Sequence, residues 1–490
     1  MPLAASTPDV QLGKTRLIGR ELADLDQGFF GGIPFTEPPI GFLRLQRPIL
    51  KTEINADVFI AQSFGHECLQ PNLSFDVMSE DCLKHLSTGR TGFRSVLTCY
   101  VLVVLALRAS STFGGGLVKG ASSSYNASAT VAQSVTRGTP IVYVNYNYRL
   151  GLLGFPQRTE AAVKGRLNLG LRDQLTALEW VQKNIGVFGG DKTKMTIFGE
   201  SAGATMTNVL FFNPSISGMV RAAIFESRTV STSVTYNAST KESIWQSFVA
   251  RTLDCSSTVG TQATLDCLQS VYSSAIYQGL LEAIAQSTMT EAHPFNPSID
   301  GPSGLLPDLP SRLWAQGCFA KLPFISGMNL DEGASWIRSY IAANFSLPAI
   351  PNKTAVRAGV KAYGYQFTQR LSTTPAMFGG MALPFSTVHD MKSEYGLSSP
   401  DTGIGFRIRV TRNVEQNEMM SEMMSDYWVS FATSLDPNDG LGTSRPVWPQ
   451  YTPENKVLLQ LNGDNMTIIP DDYRKVQIDF IRDNAVIFHK

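Results

Sequence analysis

Apolar runs of two kinds alternate through the first half of the chain. Pro140–Val144 (PIVYV) is a continuous apolar run of strand length, which suits a strand covered on both faces. Within Asn168–Ile185, the residues Leu171, Leu175, Leu178, Val181 and Ile185 recur at helical spacing and share one face. Gly189-Gly190-Asp191 stops that helix, and a second strand is predicted from Met195 through Thr196-Ile197-Phe198. A helix-compatible stretch follows. Strand, helix, strand, helix in this order predicts a parallel sheet with helices on both faces, an α/β architecture. Val96–Leu107 is the longest apolar run. A bilayer span needs about 20 residues, so this run is predicted as a buried strand. Leu322–Gly327 (LPFISG) predicts another.

Elsewhere the pattern is coarser. Gly31–Pro48, dense in glycine and proline, is predicted as an ordered loop. Ser215–Pro310 carries helical patches. Met419–Ala432 predicts an amphipathic helix with Met420, Met424, Tyr427, Trp428 and Phe431 inward, the methionines serving as core filler. Asp436–Gly440 then breaks the chain. No internal repeat and no dividing linker is visible, so residues 1–490 are expected to form one domain.

The candidate chemistry sits where the second strand meets its helix. Gly199-Glu200-Ser201-Ala202-Gly203 has the G-x-S-x-G form of a nucleophile elbow. Such a turn is so tight that its outer positions must lack bulk, and it lifts the serine oxygen above the sheet. A glycine run, Phe113-Gly114-Gly115-Gly116-Leu117, follows the Val96–Leu107 strand and offers backbone N–H donors at close approach. The carboxylates of Asn329-Leu330-Asp331-Glu332-Gly333 come just past a strand, where α/β sheets place ligands.

Composition narrows the rest. Basic and acidic residues balance at 41 each, which argues against nucleic acid and anionic membrane surfaces as partners. None of the six cysteines forms a C-x-x-C pair, so a zinc site is not expected. The close pairs Cys68/Cys82 and Cys255/Cys267 could each clip a short loop, each worth about 3 kcal/mol in the chain-entropy model. N-x-S/T sequons at Asn72, Asn126, Asn237, Asn344, Asn352 and Asn465 join the cysteines in favouring an extracellular, secreted protein. The opening MPLAASTPDV shows neither the basic nor the apolar region of a signal peptide.

Taken together, Gly32–Pro48, Ser79–Leu83, Phe113–Leu117, Val142–Phe155, Asn168–Ala204, Pro323–Gly333 and Tyr427–Asn438 resemble the type B carboxylesterase/lipase family. These are cholinesterase-like α/β-hydrolases, and the likeness is greatest to the secreted fungal lipases. The run NLGLRDQLTALEWVQKNIGVFGGDKTKMTIFGESAGA is the most specific stretch. The resemblance implies an α/β-hydrolase fold and hydrolysis of small-molecule or lipid esters by a Ser–Glu–His triad, with no cofactor and no metal. Matched by position, Ser201 is the nucleophile, Glu332 the triad acid, and Gly115, Gly116 and Ala202 the oxyanion-hole donors. Glu200 matches the buried acid beside the serine. Cys68–Cys82 and Cys255–Cys267 match the family's disulfides, and the first closes the lid region, here much shorter than in the fungal lipases.

The chain departs from the family pattern in three places. Residues 84–111 do not resemble the strand-rich sequence expected there. The interval after Glu332 is shorter. Ala362–Phe378 resembles the segment leading to the catalytic histidine, and that register puts Ala382 where the histidine should be. His66 and His85 precede the serine, His293 precedes Pro294 and reads as a loop residue, and His489 is penultimate and expected to fray. His389 alone remains in Ser…Glu…His order, so it is the candidate base. A non-catalytic binding protein of the same fold is the alternative that the disrupted histidine motif raises.

Overall fold

The computed structural model describes residues 7–90, 99–105, 116–124, 127–227, 229–230, 233–288, 295–329, 356, 358–367, 414–462, 465–473, 475–487 and 489. Among these, eleven strands form one sheet. In chain order they are β1 (Arg20–Leu22), β2 (Gln27–Pro34), β3 (Lys84–Arg90), β4 (Cys99–Leu105), β5 (Ile141–Tyr146), β6 (Gly190–Glu200), β7 (Ala222–Glu226), β8 (Phe324–Asn329), β9 (Ala362–Phe367), β10 (Val457–Leu461) and β11 (Thr467–Pro470). Their spatial order is β11-β10-β9-β8-β7-β6-β4-β5-β3-β2-β1. The seven strands from β10 across to β5 run parallel, and antiparallel strands extend both ends. Both edge strands are short, and β11 ends in a proline, features that discourage pairing with another chain.

The centre of this sheet follows from the apolar runs. All six residues of β5 and all five of β7 are buried, as a strand covered on both faces requires. Alternate residues divide between two cores. Val142, Val144, Met195, Ile197, Ala223 and Phe225 pack on one face, with Leu171, Leu178 and Val181 of helix α2 (Leu169–Asn184) and Val209 and Leu210 of helix α3 (Ala202–Leu210). Ile141, Tyr143, Phe198, Ala222 and Ile224 pack on the other. There they meet Val131 of helix α1 (Ser128–Thr136) and Met420, Met424, Tyr427, Trp428 and Phe431 of helix α4 (Val414–Ser434). The inward face expected of α4 is thus the one observed.

The strand expected within Val96–Leu107 is present over Cys99–Leu105 as β4, between β5 and β6, and β3 too comes from residues 84–111, which depart from the family in sequence. Pairing asks only for strand-compatible backbone and a buried face, so a changed sequence can keep the place. Gly31–Pro34 belongs to β2, where the expected loop has not yet begun. The elbow strand begins at Gly190 rather than Met195, because its first residues extend beyond the core and only Met195 onward is buried.

Buried ion pairs fasten the loops at the sheet's rim. Arg149 Nε and Nη2 donate to the Asp173 carboxylate at 2.9 and 2.6 Å, and the Arg149 amide donates to the same group. Arg44 holds Glu80 by two hydrogen bonds of 2.6 and 2.8 Å, and Arg44 also donates to the carbonyls of Leu268 and Val271. Removing one partner of such a pair costs about 3–5 kcal/mol, because the other charge stays buried. Cys68–Cys82 and Cys255–Cys267 are both disulfides, and Cys318 is an exposed free thiol.

His85 of β3 is buried, with its ring 3.9 Å from that of Trp180 in α2. Burial pushes its pKa down to about 3. An unfolded histidine titrates near 6.5. Between these values the unfolded chain binds the extra proton, so stability is full above pH 6.5 and falls as pH drops toward 3. We expect a loss on the order of 3 kcal/mol at pH 4.5 relative to pH 8 from this residue alone. Denaturant melts at both pH values for the native chain and His85→Leu check this. The variant should show a smaller acid loss, and an unchanged loss refutes the assignment.

Candidate active site

The turn at Ser201 joins β6 to α3, and its geometry follows from a backbone contact. A Cβ placed on Gly199 would stand 2.5 Å from the Gly203 carbonyl oxygen and 2.6 Å from Thr207 Oγ1. Only glycine lets the strand approach its own helix so closely. Ser201 bridges the two elements with φ 48° and ψ −117°, outside the favoured regions for an L-residue and costing on the order of 1–3 kcal/mol. Two bonds hold it there. Its N–H donates to the Glu226 carbonyl at the end of β7 (2.9 Å), and its own carbonyl accepts from the Thr205 N–H (3.0 Å). Ala202 is the first residue of α3, so its amide lacks an intrahelical acceptor.

At the end of the glycine run, Gly116 and Leu117 have φ of 50° and 64°. Leu117 is buried, and its carbonyl accepts from the Gly151 N–H at 2.7 Å. The end of the glycine run is therefore fixed from within.

Beneath the turn lie two carboxyl groups. Glu200 and Glu226 end adjacent parallel strands in register, and both are buried. The Trp428 indole N–H of α4 donates to the Glu226 carboxylate. Tyr148 is buried as well; burial first, and the Glu200 carboxylate second, push its phenol well above the ordinary tyrosine range. Glu226, Trp428 and Tyr148 were not among the candidate residues. Glu226 had a signal: it is the one polar residue closing the apolar run Ala222–Phe225. Trp428 read only as core.

Of the candidates, Glu200, Ser201 and Ala202 are consecutive at the strand–helix turn and Gly116 ends the glycine run, while Gly115, Glu332 and His389 lie outside the described residues. Asn72, Asn237 and Asn465 are exposed; Asn126, Asn344 and Asn352 lie outside the described residues. His66 is exposed. His489 is not frayed: its carbonyl accepts from the Thr235 N–H at 2.8 Å and its ring lies 5.0 Å from that of Tyr236. Among the described residues, no three His, Cys, Asp or Glu side chains are grouped to hold a metal.

A strained serine between a parallel strand and a helix, above buried acids, is equipment for acyl transfer. A profile of the carboxylesterase family matches residues 6–356 and 342–481. The chain belongs to the carboxylesterase family. Secreted lipase 1 of Botryotinia fuckeliana is 27% identical over 99% of this chain and 94% of its own length. Lipase 2 of Geotrichum candidum is 26% identical over 91% and 90%. In fold the chain is similar to Aspergillus niger EstA (TM-score 0.79, 23% identity, 99% of each chain). It is also similar to Geobacillus stearothermophilus carboxylesterase EST55 (TM-score 0.72, 22% identity, 96% of this chain and 99% of that one). The fold is that of an α/β-hydrolase, and this carboxylesterase-family member is a serine carboxylic ester hydrolase.

The Gly199–Gly203 contact yields a direct expectation. Gly199→Ala forces backbone from backbone, so hydrolysis of a chromogenic short-chain ester should fall at least about 100-fold, the scale of a misplacement of about 1 Å. Steady-state kinetics on the folded variant check it, and a rate within a few-fold of native contradicts the packing argument.

Proposed function

We propose that Ser201 carries the acyl group, with His389 as its base, Glu332 orienting that base, and the amides of Gly115, Gly116 and Ala202 receiving the oxyanion. The observation that carries this reading is the backbone of Ser201, strained and pinned by Glu226 at the strand–helix turn. Strain of this kind persists only where the surrounding structure enforces it, and it clusters at active sites. The position of β8 supports the role of Glu332. This strand ends at Asn329, three residues before Glu332, and lies parallel to β6 with only β7 between them. Strand spacing makes that separation about 10 Å at the same sheet edge, within the span of a histidine bridging a serine and an acid.

In this reading the base takes the Ser201 proton as Oγ attacks the ester carbonyl carbon. The oxyanion forms against the amides, each donor being worth about 3–4 kcal/mol in the transition state. Collapse breaks the ester bond, and the base returns the proton to the departing alcohol. Water then repeats the sequence on the acyl-enzyme, releasing the carboxylic acid and restoring the serine. Glu332 holds the imidazole in one tautomer and stabilises the imidazolium.

The relatives' names and the two disulfides support an extracellular protein. Among the described residues no helix is long and apolar enough to cross a membrane. The exposed asparagines 72, 237 and 465 are then available for glycosylation.

Two experiments test the reading. Ser201→Ala and His389→Ala should each lower kcat on a soluble ester by at least about 1,000-fold, with unfolding midpoints close to native. A His389 variant with native turnover places the base elsewhere. The second concerns substrate. The Cys68–Cys82 loop spans a sequence separation of only 14, so opening it exposes little apolar surface to a lipid. Short and medium acyl esters should be preferred, with no jump in rate as a triglyceride passes its solubility limit. Such a jump contradicts the role given to the loop.

A further inference from the structure

Glu200 and Glu226 occupy matched positions on neighbouring parallel strands, about 4.8 Å apart across the sheet. Alternation along the strands turns both toward one face. Glu200 lies two residues after Phe198 and Glu226 two after Ile224, and both apolar residues belong to the core beneath α4. The two residues are 2% and 0% exposed. Two buried like charges at neighbouring positions cannot both ionise without a large penalty, whereas one ionised and one protonated partner can share a hydrogen bond.

We propose that Glu200 and Glu226 form one acid pair sharing a single proton, so that one negative charge, steadied by Trp428 of α4, lies beneath Ser201. This rests on Ser201 being the nucleophile. The charge favours the imidazolium that forms when the base takes the serine proton. Glu226 acts through Glu200 and is a positioning residue.

The surroundings fit a singly charged pair. Trp428 supplies the indole donor to Glu226, and its own place is set by Tyr365 of β9, whose ring lies 5.3 Å away. Tyr365 in turn covers Gly327 of β8 so closely that a Cβ there would stand 2.1 Å from the ring. Tyr148, beyond β5, brings a phenol that stays neutral. On α4 the nearest charge in sequence, Asp426, is held between Arg137 at 3.6 Å and Arg445 at 3.9 Å. Helix α3 (AGATMTNVL) contains no ionisable residue.

The test is infrared spectroscopy of the full chain at neutral pH, joined to the pH dependence of kcat/KM. Native protein should show the carbonyl band of a protonated carboxylic acid, and Glu200→Gln and Glu226→Gln should each lose it, because a lone carboxyl ionises. Trp428→Phe, which keeps the ring and removes the donor, should move the band. In kinetics each single exchange should leave the acid-limb midpoint in place, since one charge remains. The double exchange should lower it by about one pH unit, the effect of one nearby charge at an effective dielectric near 20. No band in native protein, a band unmoved by all three variants, or equal stepwise shifts in the two singles overturns the shared proton. The native spectrum and Trp428→Phe keep the test decisive if a glutamine variant fails to fold. Because the band does not depend on turnover, failure of the Ser201 assignment would show in kinetics and leave the spectra unaffected.

Discussion

The strand β6 touches its own helix at Gly199 and Gly203, and the rest of the site depends on that contact. With no side chain between them, the two backbones meet within one residue, and Ser201 must take the strained conformation that turns its side chain off the sheet edge. The same turn frees the first amide of α3. The strain is held by the sheet: the bond from the Ser201 N–H to Glu226 exists because β7 lies beside β6 in register. The elbow is therefore a consequence of strand order as much as of its five residues.

Around this edge the chain uses buried charge to hold loops still. Arg149 and Asp173 tie the segment after β5 to α2, and Arg44 and Glu80 tie the region after β2 to the Cys68–Cys82 loop. Arg137, after α1, reaches Asp439 at 2.6 Å and also pairs with Asp426 of α4, while Arg445 joins the same carboxylates. That network seats α4 on the sheet, which in turn brings Trp428 to Glu226. A helix classed by its pattern as core thus reaches the site through one polar atom.

The parts legible in the sequence are those that periodicity and steric demand control. β5, α2, β6 and the inward face of α4 follow from apolar spacing, and the elbow glycines follow from the space the turn leaves. The disulfide partners are close in sequence, and the family resemblance implies the same pairs, Cys68–Cys82 and Cys255–Cys267, that the structure shows. What was not legible depends on pairing between distant segments. β3 carries Lys84, His85, Ser87 and Thr88, a composition that reads as surface, and only its place between β2 and β5 buries His85. Gly31–Pro34 looks like loop until β3 pairs with it. Glu226 acquires meaning only when the register sets it beside Glu200.

The central claim is that the strained serine of the elbow forms the acyl-enzyme. Its most direct test is covalent capture: the active protein is treated with a fluorophosphonate ester, digested, and the modified peptide identified by mass spectrometry. The account predicts a single adduct, on Ser201 within the Gly199–Gly203 turn, with ester hydrolysis lost in proportion to labelling. An adduct on another residue, or full inhibition with Ser201 unmodified, would contradict it.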